Sequence, residues 1–323
     1  MNEQKKTVET KVFVGIWKWM LERYPPAIFV LHSLVYMTSI SISTYIETPS
    51  TTPLSFSFVR EIFGSIAFFT FPLMLRIMDE HKDYEKDCET NPQRVLQRGE
   101  TSLMILARLG WMCVCVQLLF SVYADQGFSS VSLFWLLTLG YSILMGKEFF
   151  CGAWLEKRMV LYAISHQLIT PISMLWICSV PISPSFSSIK IWGFLLTALL
   201  CTFSYEIARK IRAPEDEQEG VDSYTKTMGL RTAPIVTLCL FAAATGLPIY
   251  YFDQIGLEQG VSTGLLCMDA IVFLLCTSVC VLFLLQPKKK WAKSMEVASG
   301  ILTLWVYGWI LYAVCMARDI IWM

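Results

Sequence analysis

The chain is predicted to be an all-α, polytopic membrane protein, a bundle of nine transmembrane helices forming a single domain over 1–323, and three observations carry that prediction. First, its 323 residues are 55% hydrophobic and 16% charged, with a mean hydropathy of +0.52. That is too apolar for a water-soluble domain of this length. Second, apolar runs of about 20 residues, the length that crosses a bilayer as a helix, recur along the whole chain. Third, Lys and Arg keep to alternate loops. The segments 1–26, 79–100, 151–158, 208–231 and 286–296 hold most of the 26 Lys and Arg, whereas 47–56, 123–130, 181–188 and 252–261 hold none. By the positive-inside rule the N-terminus and the basic loops are cytosolic. The lipid bilayer is the expected surrounding; a net charge of +0 offers no basic field to nucleic acid.

In chain order, "KVFVGIWKWMLER" mixes Val12, Phe13, Ile16, Trp17 and Met20 with Lys11, Lys18 and Arg23, the composition of an interfacial helix over 11–24. No signal peptide is evident before it. The spans follow near 27–46, 57–78, 101–122, 131–150, 159–180, 189–207, 232–251, 262–285 and 297–316. Pro171 is expected to kink the fifth, in which Tyr162 and His166, four residues apart, share a helix face. The 11 Cys form no CxxC pair, and Cys113, Cys115, Cys276 and Cys280 read as small packing residues rather than ligands.

The second span runs straight into "RIMDEHKDYEKD", with Asp79, Asp83 and Asp87 spaced four apart. On a continuous helix they form a column roughly 12 Å long, at about 1.5 Å rise per residue. Like charges so placed repel, and a divalent cation turns that repulsion into binding. Mg²⁺ suits a site of few carboxylates that leaves room for water and phosphate oxygens. Arg94, Arg98, Lys147 and Arg158 are the nearby cations able to meet the remaining phosphate charge. The bland alternative is a solvated helix end with local pairs, Lys82 with Asp79, Asp83 with Lys86 and Lys147 with Glu148.

Asp79-x-x-x-Asp83-x-x-x-Asp87, followed by Pro92, Arg94, Arg98 and Gly99, resembles the first aspartate-rich signature of the UbiA superfamily of membrane prenyltransferases. Asp79 stands for its usual Asn and Glu80 for its next Asp. In the loop "ARKIRAPEDEQEGVDSYTKTMGLRT", Gly220, Thr225 and Gly229 are similar to the tail of the second signature, with Asp216 on its last Asp and Arg212 in place of the preceding one. The resemblance implies a UbiA-like bundle around a central cavity, with Mg²⁺ and an isoprenyl diphosphate at its cytosolic mouth. It implies metal ligands at Asp79, Asp83, Asp87, Glu206 and Asp216, with Glu217 a further candidate. Arg209 and Arg212 join the diphosphate contacts.

Loss of diphosphate leaves an allylic cation, which the family either transfers to an acceptor or cyclises. The departures "DEHKD" and "EIARKIRAPEDE" resemble the branch that contains membrane-bound terpene cyclases, so the expected activity is Mg²⁺-dependent cyclisation of farnesyl diphosphate to a sesquiterpene, in the endoplasmic reticulum of a eukaryotic source. The alternative is transfer to an aromatic or other acceptor. Trp154, Tyr162, Trp192, Tyr205, Tyr307 and Trp309 are candidate aromatic faces for stabilising cations. A transporter is disfavoured because the acidic residues gather at one membrane face; a non-catalytic prenyl-lipid scaffold is the third possibility.

Overall fold

Proline and glycine punctuate the chain where its helices stop. The computed structural model describes residues 2–49, 51–182, 188–217, 219, 221–252 and 259–323. Helix α1 (Asn2–Arg23) ends before Pro25-Pro26, whose missing N–H groups cannot continue it, and α2 (Ile28–Glu47) follows. A short strand β1 (Leu54–Phe56) precedes α3 (Phe58–Lys82), and α4 (Tyr84–Thr90) stops at Asn91-Pro92. Ser102 caps α5 (Leu103–Asp125), its hydroxyl accepting from the Ile105 N–H. Next come α6 (Ser130–Gly146), α7 (Gly152–Glu156), α8 (Met159–Gln167) and α9 (Ile169–Cys178). The chain continues through α10 (Ile189–Arg209), α11 (Tyr224–Met228), α12 (Thr232–Phe252), α13 (Gln259–Leu285), α14 (Lys289–Ala317) and strand β2 (Ile320–Trp322).

The all-α, polytopic membrane class holds. Among the described residues eight helical segments are long and apolar enough to cross a membrane, α8 and α9 counting as one. Their break at Leu168 has the expected cause, because Pro171 lacks the N–H that would bond to the Gln167 carbonyl. The fourth expected span is shorter: α6 has 17 residues, about 26 Å against a hydrocarbon core of about 30 Å.

Each of these apolar helices packs on the next in sequence, and α14 packs on α2, so the bundle closes into a ring. Its two ends are built differently. At the charged end α1 lies across the mouth: Trp19 is fully buried, Lys18 pairs with Glu100 at 2.7 Å, and Glu22 accepts from the Val95 N–H at 3.2 Å. Gly15 rests so close to the Glu100 carbonyl that a Cβ would meet it at 2.2 Å. Phe13, Trp17 and Leu21 stay exposed on the opposite face. The helix is longer than the expected 11–24, and the side chains of residues 1–11 lie outside those described.

At the far end β1 and β2 pair in parallel, Leu54 opposite Ile320 and Phe56 opposite Trp322. The Arg318 guanidinium donates to the Thr52 carbonyl at 2.9 Å and to Thr48 at 3.2 Å, and sits 4.7 Å from the Tyr45 ring. Since α2 starts beside α1 at the charged end and α14 finishes at the far end, the chain runs between the two ends an odd number of times. Beside the eight full-length segments, α6 makes the remaining run between the two ends.

Candidate active site at the charged mouth

The first acidic segment sits where α3 runs out. Asp83 leaves helical geometry at φ −97°, ψ 8°, yet its N–H still bonds to the Asp79 carbonyl at 2.9 Å, and the Asp87 N–H to that of Asp83 at 2.8 Å. The straight column of carboxylates expected from the spacing is thus bent at Asp83. Asp79 is half exposed, with Arg76 at 3.9 Å. Asp87 pairs with Arg94 at 2.5 Å and accepts from the Asn91 amide at 3.0 Å. Asp83 has neither an ion pair nor a side-chain hydrogen bond among the described residues. Burial raises its carboxyl above the usual range, and the Asp87 and Glu148 charges add to this against Lys82 and Lys86.

Glu80 points the other way. It is buried at 1% exposure and accepts from Arg23 of α1 at 2.6 Å and from Arg76 at 3.1 Å. The residue standing at the signature's first Asp position therefore ties the N-terminal helix to α3.

The second acidic segment approaches from the end of α10. Glu206 pairs with Arg209 and with Lys210, the latter at 2.6 Å. Arg209 also lies within electrostatic reach of Asp79, which joins the two charged segments at one mouth. The enclosed Tyr224 hydroxyl has no hydrogen-bond partner among the described residues and lies within reach of Glu206 and Arg209. Asp216 turns toward α14: Lys289 donates to it at 2.7 Å, Arg212 stands 3.6 Å away, and the lysine hydrogen bond holds its carboxyl below the usual range. Glu217 is partly buried, which alone would raise it. The hydroxyls of Ser223 and Thr225, at 2.6 and 2.7 Å, and Lys226 at 3.5 Å more than offset that and hold it low. Gly220 lies outside the described residues.

A group the spacing did not reveal completes the mouth. Lys82 reaches 66 residues along the chain to Glu148, at 2.7 Å, and also donates to the Tyr162 hydroxyl at 3.1 Å. Tyr162 donates to the same Glu148 oxygen at 2.9 Å, and its ring stacks on His166 at 3.9 Å, as their four-residue spacing allows. The local pairs of Lys82 with Asp79 and of Glu148 with Lys147 are therefore not the ones formed. Lys147 is exposed, Arg98 pairs with Glu100, and Arg158 folds over the Trp154 ring at 4.2 Å while donating to the Trp154 carbonyl. Trp154, Trp192 and Tyr205 face outward; Tyr307 and Trp309 are buried. The inner aromatic cluster is instead Phe68, Phe71 and Phe120 around Trp176, with ring centroids 6.2–6.4 Å apart.

Among the described residues no three His, Cys, Asp or Glu side chains are grouped to hold one metal ion. Of the expected ligands, Asp79 and Asp83 are nonetheless the ones least taken up by protein cations, and hard oxygen donors of this kind fit Mg²⁺. Asp87, Glu206 and Asp216 are occupied by Arg94, by Arg209 with Lys210, and by Lys289.

Two solved structures share this fold. One, of a digeranylgeranylglyceryl phosphate synthase, aligns over 93% of this chain and 98% of its own with a TM-score of 0.62 at 16% identity. The other is a UbiA homolog from Aeropyrum pernix K1. Its alignment covers 85% of this chain and 97% of its own, with a TM-score of 0.59 at 15% identity. The chain has the UbiA fold. No family model matches it, and neither does any curated protein.

Proposed function

We propose that the chain is a membrane enzyme of the UbiA superfamily that uses Mg²⁺ to ionise an isoprenyl diphosphate. The observation carrying this reading is the meeting of Asp79 and Asp83 with Arg209, Lys210 and Lys82 at one mouth of a UbiA-type bundle. A diphosphate has about three negative charges near neutral pH and cannot lie beside bare carboxylates unless cations bridge them. Asp79 and Asp83 would hold Mg²⁺, whose Lewis acidity stabilises the departing diphosphate. Arg209 and Lys210 stand ready for its outer oxygens once Glu206 releases them, and the Tyr224 hydroxyl can donate a further hydrogen bond. Asp87, Glu206 and Asp216 act as ligands only after exchanging their present partners.

For the cation's fate we propose cyclisation of farnesyl diphosphate to a sesquiterpene hydrocarbon. The departures from both signatures resemble the fungal cyclase that makes β-trans-bergamotene, and the buried Phe68, Phe71, Phe120 and Trp176 supply apolar, aromatic surface suited to a carbocation. Transfer of the isoprenyl group to an acceptor has support of equal weight from the likeness to a digeranylgeranylglyceryl phosphate synthase. Membranes containing the protein, given farnesyl diphosphate and Mg²⁺ without an acceptor, should yield a C15 hydrocarbon by gas chromatography–mass spectrometry that EDTA abolishes. Metal-dependent prenylation of an added acceptor, with no hydrocarbon, would replace cyclisation by transfer.

A further inference from the structure

Glu148 presents its two oxygens to very different surroundings. Oε1 is complete, accepting from Lys82 Nζ and from the Tyr162 hydroxyl. Oε2 is enclosed and has no hydrogen-bond partner among the described residues; the same is true of His166 Nε2, and the two atoms face each other at 3.6 Å. The other imidazole nitrogen fixes the tautomer. Nδ1 lies 2.9 Å from the Tyr162 carbonyl oxygen, which only accepts, and 3.3 Å from the Ser165 hydroxyl, which donates to that same carbonyl at 2.9 Å; Nδ1 is therefore assigned the hydrogen, and a neutral His166 has its lone pair on Nε2. Two enclosed acceptors thus point at one another with no donor between them. A single proton removes the conflict by making an imidazolium–carboxylate pair.

The backbone accepts strain to present Glu148 in this way. Glu148, Phe149 and Phe150 all lie in the left-handed region, at φ 50°, 52° and 57°, where residues other than glycine are disfavoured. Such a turn persists only when its surroundings over-determine it. Phe149 packs edge-on against Tyr141 at 5.4 Å and His166 at 5.8 Å, and the Tyr141 hydroxyl donates to the Ser165 carbonyl at 2.6 Å. The charged groups bearing on the pair are Lys82 and Asp83 at the end of α3 and Lys210 at the end of α10, the same groups that frame the proposed diphosphate site.

Resting on the enzyme reading above, we infer that His166 and Glu148 are its proton-accepting pair, with His166 Nε2 the base and Glu148 its charge and positioning partner. Either fate of the isoprenyl cation releases one proton per diphosphate. The C–O bond breaks and its electron pair leaves with diphosphate. In cyclisation, a C–H bond beside the final cationic carbon then breaks, and its electron pair becomes the new C=C bond. In transfer, the acceptor gives up its proton. In both, the proton goes to Nε2, the new N–H donates to Glu148 Oε2, and water at the mouth later takes the proton away.

Glu148→Gln tests this directly, because its amide can still accept from Lys82 and Tyr162 while its NH₂ donates to Nε2. The variant fills the gap and blocks the base. Purified E148Q should melt at or above the wild-type temperature and still bind farnesyl diphosphate, with turnover lower by about 100-fold or more. His166→Asn should lose a similar factor, and the double variant should be no slower than the slower single one. Wild-type turnover in E148Q, or stability and turnover falling together, would overturn the inference. A readout apart from turnover comes from ¹⁵N spectra of the three histidines, with His166 assigned by H166N. An Nδ1–H tautomer is expected, and Nε2–H would refute the pair. A wild type that converts no prenyl diphosphate would end the enzyme reading and the base's role with it. The His166 signal would then decide whether the pair itself stands.

Discussion

Asp83 combines burial with the lack of an ion-pair partner among the described residues, and the consequence is measurable. Its raised carboxyl means that the folded state prefers the protonated form. The stability this brings is fully present below the unfolded value of about 3.9 and is lost as pH rises through the folded value. At neutral pH the ionised group therefore weakens the fold. Asp83→Asn should raise the melting temperature of the solubilised protein at pH 7 and leave it unchanged at about pH 3, where the wild-type side chain is neutral as well. Mg²⁺ should stabilise the wild type and not the variant, whose turnover should be lost. A variant less stable than wild type at pH 7 would mean that the carboxylate has a favourable partner. The three aspartates could be found from sequence because a four-residue repeat of like charge has no use in an ordinary helix end. Glu148 could not, since its partner Lys82 is 66 residues away and its backbone conformation has no glycine to announce it.

At the scale of one element, α1 shows how an amphipathic helix becomes part of the wall of the charged mouth. Its mixture of apolar and basic residues, Phe13 and Trp17 with Lys18 and Arg23 among them, was readable from composition. Its inward bonds were not, because Arg23 meets Glu80 across 57 residues. Burial separates its two ion pairs in worth. Arg23→Ala leaves the buried Glu80 with Arg76 alone and should cost roughly 1–3 kcal/mol in denaturant unfolding, since an enclosed carboxylate loses a charged donor. Lys18→Ala breaks a pair whose lysine is 53% exposed and should cost less than about 1 kcal/mol. Equal effects would place α1 loosely on the surface. The α3–α4 boundary teaches a related point. Hydrogen bonds of helical spacing run through Asp83, so spacing alone suggests one helix, whereas the chain bends there.

For the whole molecule, hydropathy located the spans and the alternation of basic loops ordered them, because both are averages over many residues that one contact cannot upset. The same averages could not reveal two three-residue strands, which are too short for any period to show. Those strands make topology testable. A glycosylation acceptor placed after Met323 should be modified in endoplasmic reticulum membranes, and one placed ahead of α1 should not. Modification of both, or of neither, would require an even number of crossings and remove α6 from the membrane.

The pairing of β1 with β2 also has a consequence for how the protein is made. Residues 320–322 are synthesised after α14, yet their partner strand precedes α3, and the nearby bond from Arg318 to Thr52 spans 266 residues. For a free chain, bringing such distant segments together would be a slow search. Here α14 already lies against α2, so the strands meet over a short distance. Until then Leu54 and Phe56 wait with an open backbone edge, available to any other extended segment within the translocation machinery. The ring is a belt assembled link by link, and its buckle is delivered after the links it joins.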